Sequence, residues 1–210
     1  MPTTAAKPAP ENQDYYRNVD RCVSEKLDQP ISNALPAHAC YLMTKMFQGA
    51  QKRIRLYSGS LERRVKESCA LDGEPKGAAG SADLVDVYAD KDLLAAARDF
   101  VGNRSGDLSI IVQKDIDGGV ETHPLISLIT EMKRDGSLRG NVEIKQLGQQ
   151  YAGAIENHFM VMDDTAYRFE FDHNPCRAQA NFGDPKTAKA LAELFDENLF
   201  PMGNPALAAL

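Results

Sequence analysis

The sequence lacks the residue patterns that mark metal sites and redox motifs. It has no tryptophan, and no C-x-x-C pair occurs among its four cysteines, Cys22, Cys40, Cys69 and Cys176. Closely spaced cysteines are the usual ligands of structural zinc, so no zinc site is predicted and the thiols are expected to be free. No two histidines have the i, i+4 spacing of a metalloenzyme helix, and we predict no metal and no other cofactor.

Long apolar runs are also missing. No run approaches the roughly 18 residues that a membrane-spanning helix needs. The first residues are rich in proline, alanine and threonine, and they lack the basic and apolar regions of a signal peptide. We therefore expect a cytoplasmic protein that does not bind a membrane.

The charges argue against a general nucleic-acid-binding protein. The chain has 24 basic and 30 acidic residues, a net charge of −6, and no basic run long enough to follow a nucleic-acid backbone. A partner protein or a second copy of the chain is therefore expected, while nucleic acid remains open but disfavoured. Local basic clusters are interpreted as solvated surface in preference to phosphate contacts: Lys52, Arg53 and Arg55; Arg63, Arg64 and Lys66; Lys133 and Arg134.

The length and composition favour one hydrophobic core, since the chain has 210 residues and 43% of them are apolar. Residues 1–12, rich in proline and alanine, predict a disordered tail. Residues 13–53 predict amino-terminal helices, and Lys52 and Arg53 would complement the dipole of their last turn. Residues 54–200 predict an α/β domain, and residues 201–210 a second flexible tail.

Strands and helices alternate in the middle of the chain. Short β-branched runs predict three strands: 54–57, 108–113 and 142–147. Helical spacing predicts three helices, the first capped by Ser60: 60–68, 90–100 and 123–135. A glycine-rich loop is expected at 71–83, and the alternation favours parallel strands joined by helical crossovers.

Two apolar runs nearer the carboxyl end predict a hairpin. Phe159–Met162 and Ala166–Phe171 flank Asp163-Asp164-Thr165, which is typical of a tight turn and is preferred here to a pair of metal ligands. A helix capped by Asp184 follows. The predicted fold class is therefore α/β, with a mixed, mostly parallel sheet flanked by helices.

The turn after the first predicted strand of the domain is a candidate anion site. Ser58 and Ser60 flank Gly59 between a strand and a helix start, where backbone N–H groups can bind an anion. No Lys-Ser or Lys-Thr pair completes a phosphate-binding loop, so a simple tight turn is the alternative.

Arg168 lies on the second strand of the predicted hairpin. Strand alternation places it opposite to Tyr167 and Phe169 and on the same face as Glu170. It is expected either to pair with Glu170 or to hold a phosphate near His158, and pairing is the preferred interpretation.

The order of elements in the carboxy-terminal third is distinctive. His158 precedes a strand that ends at Asp163, and the hairpin is followed by Ala178-Gln179-Ala180-Asn181 and a helix. This order resembles the phospholipase D-like superfamily, whose active members have H-x-K, a strand ending in Asp, a hairpin, and G-S-x-N before a helix. The resemblance covers roughly the last three quarters of the chain and makes Asn181 the counterpart of the final motif residue.

The departures from the family pattern fall on its reactive residues. His158 lies two residues later than the family's histidine, near the lysine position, and Met160 follows it. Ala178 and Gln179 replace the glycine and serine of the last motif. A shift of two residues keeps His158 on the same face of its strand, so the resemblance still allows catalysis in a homodimer that supplies the second imidazole.

These residues support three hypotheses of different classes. The leading one is a non-catalytic phospholipase D-like module, with binding or regulatory function, that recognises a partner protein or a phosphate-bearing ligand at the strand ends near His158. The second is a homodimeric phosphodiesterase or nuclease, with His158 as nucleophile and Arg168 or Asn181 orienting the phosphate. The third is a structural subunit of a larger assembly.

Overall fold

The computed structural model of the chain describes residues 10–33, 35–59, 87–113, 123–151, 157–172 and 177–206. Five α-helices are found in these ranges: α1 (Pro10–Glu25), α2 (Pro36–Gly49), α3 (Lys91–Val101), α4 (Pro124–Asp135) and α5 (Pro185–Glu193). Eight strands accompany them: β1 (Ile31–Asn33), β2 (Arg53–Ser58), β3 (Asp107–Val112), β4 (Val142–Leu147), β5 (His158–Met162), β6 (Ala166–Asp172), β7 (Arg177–Asn181) and β8 (Gly203–Pro205).

The eight strands form one sheet in the order β1-β7-β6-β5-β2-β3-β4-β8. The α/β class with a mixed sheet is confirmed, but "mostly parallel" was wrong: within the described strands, β2–β3 and β3–β4 are parallel and the other five pairings are antiparallel. The reason is the return of the chain after β4. It enters the sheet beside β2 as the hairpin β5–β6, and hairpin strands are necessarily antiparallel.

Helices cover both faces of the sheet. Alternate residues of β2 point to opposite sides, so Leu56 joins the main core with α1 to α4, whereas Tyr57 joins a smaller core with α5. Residues of α1 and α2 such as Val19 and Phe47 lie in the main core itself. The amino-terminal helices are therefore built onto the sheet, and β1 between them pairs with β7.

The predicted helix boundaries agree with the structure where a capping residue defines them. Asp90 accepts hydrogen bonds from the backbone of Asp92 and Leu93 at the start of α3, and Asp184 accepts one from Thr187 in α5. The predicted role of Lys52 and Arg53 in the last turn of α2 was wrong. That helix ends at Gly49, because Arg53 is already paired with β3.

Several predictions lie outside the described residues, namely the helix at 60–68, the loop at 71–83 and the two thiols Cys69 and Cys176. Cys22 and Cys40 are free thiols, as predicted. Within the predicted carboxy-terminal tail, residues 203–205 form strand β8 at the sheet edge. No helix in the described ranges has both the length and the apolar character needed to cross a membrane.

Candidate functional site

His158 begins β5 at the end of the sheet where β2 finishes. Its direct cross-strand partner on β6 is Glu170. On the other side, Tyr57 pairs with Phe159, so Ser58 lies one step further along β2, level with His158. Residues level with one another across a sheet point to the same face, and Ser58, His158 and Glu170 therefore form one polar row.

A chain of polar contacts links three side chains at this row. The Nδ1 atom of His158 lies 3.4 Å from Oε1 of Glu170, and Nη2 of Arg168 donates to Oε2 of Glu170 at 3.2 Å. The side chains of Arg168 and Glu170 are 9% and 16% exposed, so both charges are largely removed from water. The predicted pairing of Arg168 with Glu170 is confirmed, and the two share a face as expected.

Gly59 explains how the imidazole reaches the strand end. A Cβ atom at this position would lie 2.5 Å from Nε2 of His158 and 2.8 Å from its Cε1. A side chain at position 59 would displace the imidazole, because the ring rests directly over the glycine backbone. The small residue that sequence analysis associated with an anion-binding turn thus makes room for His158.

Aromatic side chains form the wall beside Ser58. Ser58 is buried, and its side chain is hydrogen bonded to that of Tyr88. Burial raises the pKa of Tyr88 to about 12, and the nearby charge of Arg168 opposes this rise. His123, at the amino end of α4, packs edge-on against Tyr88 with ring centroids 4.9 Å apart, and its side chain makes no helix-capping hydrogen bond.

Sequence reasoning missed the polar groups deeper on the same face. Both amide atoms of Asn33, the Nε of Arg168 and the hydroxyl of Tyr15 are buried and have no hydrogen-bond partner among the described residues. One signal was available for Asn33, which follows Ile31 by two residues in a short strand and thus shares its buried face.

The opposite end of the same strands is closed by carboxylates. Asp163 and Asp164 occupy the hairpin turn with φ values of 49° and 55°, which confirms the turn interpretation. The carboxylate of Asp163 accepts hydrogen bonds from the backbone N–H groups of residues 51–53. Arg55 is 6% exposed and bonds to Asp196 and Asp164, so its interpretation as solvated surface was wrong.

Asn181 does not lie near His158. It ends β7 and pairs with Tyr167 at the start of β6, whereas His158 pairs with Glu170 near the other end. Its Nδ2 donates to Asp28 at 2.8 Å, and its Oδ1 accepts from the backbone of Gly183. Asn181 therefore ties the β7–α5 turn to the α1–β1 loop. Ser60 and His173 lie outside the described residues.

Metal ligands are not clustered at either end of the sheet. In the described part of the chain, no group of three or more histidine, cysteine, aspartate or glutamate side chains is arranged to hold a metal ion.

The solved structures with a similar fold include the following three. The archaeal chromatin protein TrmBL2, whose structure shows a novel mode of DNA binding, has a TM-score of 0.53 and 10% identity over 94% of this chain and 61% of its own. NucT from Helicobacter pylori has a TM-score of 0.53 and 9% identity over 84% of this chain and 98% of its own. Phosphatidylserine synthase from Haemophilus influenzae Rd KW20 has a TM-score of 0.50 and 9% identity over 84% of this chain and 39% of its own.

These similarities establish the fold and no more. The chain shares its fold with TrmBL2, NucT and the phosphatidylserine synthase, and at 9–10% identity the likeness does not assign it to a family. The chain spans about 61% of the length of TrmBL2 and nearly all of NucT. No protein-family model matches the sequence, and no curated protein sequence matches it either.

Proposed function

We propose that this protein is a non-catalytic phospholipase D-like module that binds a phosphate-bearing ligand at the sheet end formed by Ser58, His158 and Arg168. The observation that carries the proposal is the contact chain from His158 through Glu170 to Arg168. The carboxylate of Glu170 contacts both the imidazole and the guanidinium. Part of the hydrogen-bonding capacity of each group is therefore used within the protein and is not directed at a phosphoryl group that is being transferred.

The residue at position 160 supports the absence of catalysis. In active members of the family a lysine follows the histidine by two residues, whereas Met160 is 1% exposed in the main core of this chain. Phosphoryl transfer through a histidine needs cations that stabilise the developing charge on the phosphoryl oxygens. The nearest counterpart is Arg168, directly opposite Met160 on β6, and its charge is partly offset by Glu170.

Recognition of a phosphate group remains compatible with this arrangement. The side chain of His158 is 21% exposed, so the row can be reached from solvent. Two proteins with a similar fold have phosphate-bearing ligands or products: TrmBL2 binds DNA, and the other is a phosphatidylserine synthase. The net charge of −6 disfavours a polyanion, so a small phosphate-bearing ligand is the preferred class.

A second candidate function is favoured by one specific contact. A carboxylate on Nδ1 of an imidazole holds the ring in one tautomer and directs Nε2 to a reacting group. Glu170 has this position relative to His158. A homodimeric phosphodiesterase, with His158 as nucleophile and the second imidazole supplied across the dimer, is therefore the alternative.

One experiment separates the two functions. Phenyl phosphate and a 5′-phosphorylated 12-nucleotide DNA are titrated into the protein by calorimetry, and hydrolysis of bis(p-nitrophenyl) phosphate is followed in parallel. We expect saturable binding of phenyl phosphate, about tenfold weaker in His158→Ala, without hydrolysis by either protein. Arg134→Ala, which removes an exposed cation on α4, is the matched control and should bind normally.

Two results would contradict the binding module. Hydrolysis by the wild-type protein that is lost in His158→Ala, together with a dimer in light scattering, would establish the enzyme. Binding that is equal in the wild type and in His158→Ala would place the ligand elsewhere.

A further inference from the structure

Two polar side chains are buried on the sheet face beneath α1, and the buried hydroxyl of Tyr15 belongs to the helix above them. Asn33 is 4% exposed and Arg168 is 8% exposed. The amide oxygen and nitrogen of Asn33, the Nε of Arg168 and the Tyr15 hydroxyl have no hydrogen-bond partner in the described ranges. Buried polar groups are nearly always hydrogen bonded in proteins, so a cluster of unsatisfied ones calls for an explanation.

The strand register brings two of these side chains together. Glu170 pairs with Ala178, which pairs with Asn33, and in the adjacent row Arg168 pairs with Ala180. Two strand spacings separate β6 from β1, or roughly 10 Å. The two residues that cross this distance on β7 are alanines, so only short side chains lie on that strand between the arginine and the asparagine.

Helix α1 forms the cover over this space. Its residues Val19 and Cys22 share the main core with Ile31 and Ala180. Tyr15 stacks on His38 of α2 with ring centroids 3.7 Å apart and planes 13° from parallel, which fixes the position of its ring. Burial raises the pKa of Tyr15, and the positive charge of Arg168 opposes that rise, so the field of the guanidinium reaches the tyrosine.

The unsatisfied atoms are mainly donors. Arg168 Nε carries one N–H, the Asn33 amide carries two, and the Tyr15 hydroxyl carries one O–H, while the principal acceptor is the Asn33 amide oxygen. A group rich in acceptor oxygens and negatively charged complements this set and the positive charge beside it. Carboxylate and phosphate groups share that chemistry.

We propose that this chain has an interior binding site for a small oxyanion, a carboxylate or a phosphate group, held by Arg168, Asn33 and Tyr15 above Ala178 and Ala180. The site does not depend on the function proposed for His158. Arg168 takes part in both sites with different atoms, since Nη2 binds Glu170 and Nε is the donor to the interior ligand.

The test measures thermal unfolding of the full chain in HEPES-chloride buffer with increasing acetate, formate or inorganic phosphate. We expect the unfolding temperature of the wild type to rise saturably with at least one of these anions, as mass action requires of a ligand that binds the folded state. Comparison of the three anions distinguishes a carboxylate site from a phosphate site. Calorimetry on His158→Ala, which lacks the strand-end site of the proposed function, should give one ligand per chain.

Variants locate the anion. Asn33→Leu and Tyr15→Phe should each weaken the binding about ten- to a hundredfold, because each removes hydrogen bonds to a charged ligand. Tyr16→Phe, on the same helix, should bind like the wild type, and His158→Ala, at the strand end, should keep the binding that Asn33→Leu and Tyr15→Phe weaken. Tyr15→Phe removes one oxygen atom, so the test does not depend on whether Asn33→Leu folds.

Three results would overturn the interior site. The first is that no anion raises the unfolding temperature, which would leave ordered water as the occupant. The second is an anion effect that persists unchanged in Asn33→Leu and Tyr15→Phe. The third is an effect that is lost in His158→Ala alone, which would support the strand-end site of the proposed function and reject the interior one.

Discussion

The two ends of the central strands differ in how their charges are satisfied. At the hairpin end, Asp163 caps three backbone N–H groups, and Arg55 is bonded to two carboxylates. At the other end, Glu170 is shared between His158 and Arg168, while the Nε of Arg168 has no hydrogen-bond partner among the described residues. At the hairpin end one buried oxygen of Asp196 also lacks a hydrogen bond, but it is ion-paired with Arg53 at 3.1 Å. The hairpin end therefore stabilises the fold, and the end with an unused buried donor retains capacity to bind a ligand.

The largest effect is expected at the hairpin end, from Asp196→Ala. This change removes two hydrogen bonds to the 8%-exposed Arg55 side chain and the ion pair with Arg53. We expect the free energy of unfolding to fall by about 3 kcal/mol, because a buried cation then loses its main partner. Urea denaturation measures the loss. Glu197→Ala, its exposed neighbour, should change stability by less than about 0.5 kcal/mol, and equal losses would refute the asymmetry.

A smaller loss is expected from Asp163→Gly in the same turn. Glycine tolerates the positive φ of 49°, so the variant isolates the loss of the carboxylate. We expect a decrease of about 2 kcal/mol in the free energy of unfolding, since three backbone donors lose their acceptor. Asp164→Gly has the same backbone requirement and should lose less, because it removes one ion pair from a half-exposed carboxylate. The reverse order would count against the capping role.

Beneath α1 we expect a substitution that does not lower the free energy of unfolding, namely Asn33→Leu measured without added oxyanion. Leucine has the same number and branching of side-chain heavy atoms as asparagine, and it removes two buried polar atoms that lack a hydrogen-bond partner among the described residues. We expect the free energy of unfolding to be unchanged or to rise by up to about 1 kcal/mol. A loss of more than about 2 kcal/mol would mean that the Asn33 amide stabilises the folded chain as the charged groups of the hairpin end do.

The smallest effect is a pH dependence centred on His38. Burial lowers the pKa of His38 below its usual value of 6.5. Below pH 6.5 the unfolded chain therefore binds more protons at this residue than the folded chain, so its contribution to stability is present above pH 6.5 and declines as the pH falls.

The variant His38→Phe keeps an aromatic ring that can stack on Tyr15 but removes the group that takes up a proton. Unfolding free energies of the two proteins measured from pH 7.5 to pH 5 should therefore decrease less steeply in the variant. Parallel curves would show that His38 is protonated equally in both states.

Local patterns predicted most of the elements. Val142–Leu147 was predicted as β4 with the observed limits, and Asp184 caps α5, because alternation and capping are properties of neighbouring residues. The hairpin turn at Asp163 and Asp164 was likewise recognised from its own sequence. The predicted pairing of Arg168 with Glu170 needed only the two-residue period of a strand.

The errors concern relations between distant segments. Asn181 was expected to act beside His158, but the register of β6 with β7 places it at the other end of the sheet, where it bonds Asp28. Arg55 was taken as surface because its acidic partner Asp196 lies 141 residues away in sequence. Neither pairing produces a pattern in the neighbouring sequence from which it could be predicted.

The sequence by itself determined where most strands and helices form, but not β1, β7 and β8, and it determined which faces of them are apolar. Tertiary structure decided that five of the described strand pairings are antiparallel, that Glu170 also contacts His158, and that Asn33 is buried without a hydrogen-bond partner among the described residues. The physical reason is range: backbone propensity and side-chain period act over a few residues, whereas strand register brings together residues that are distant along the chain.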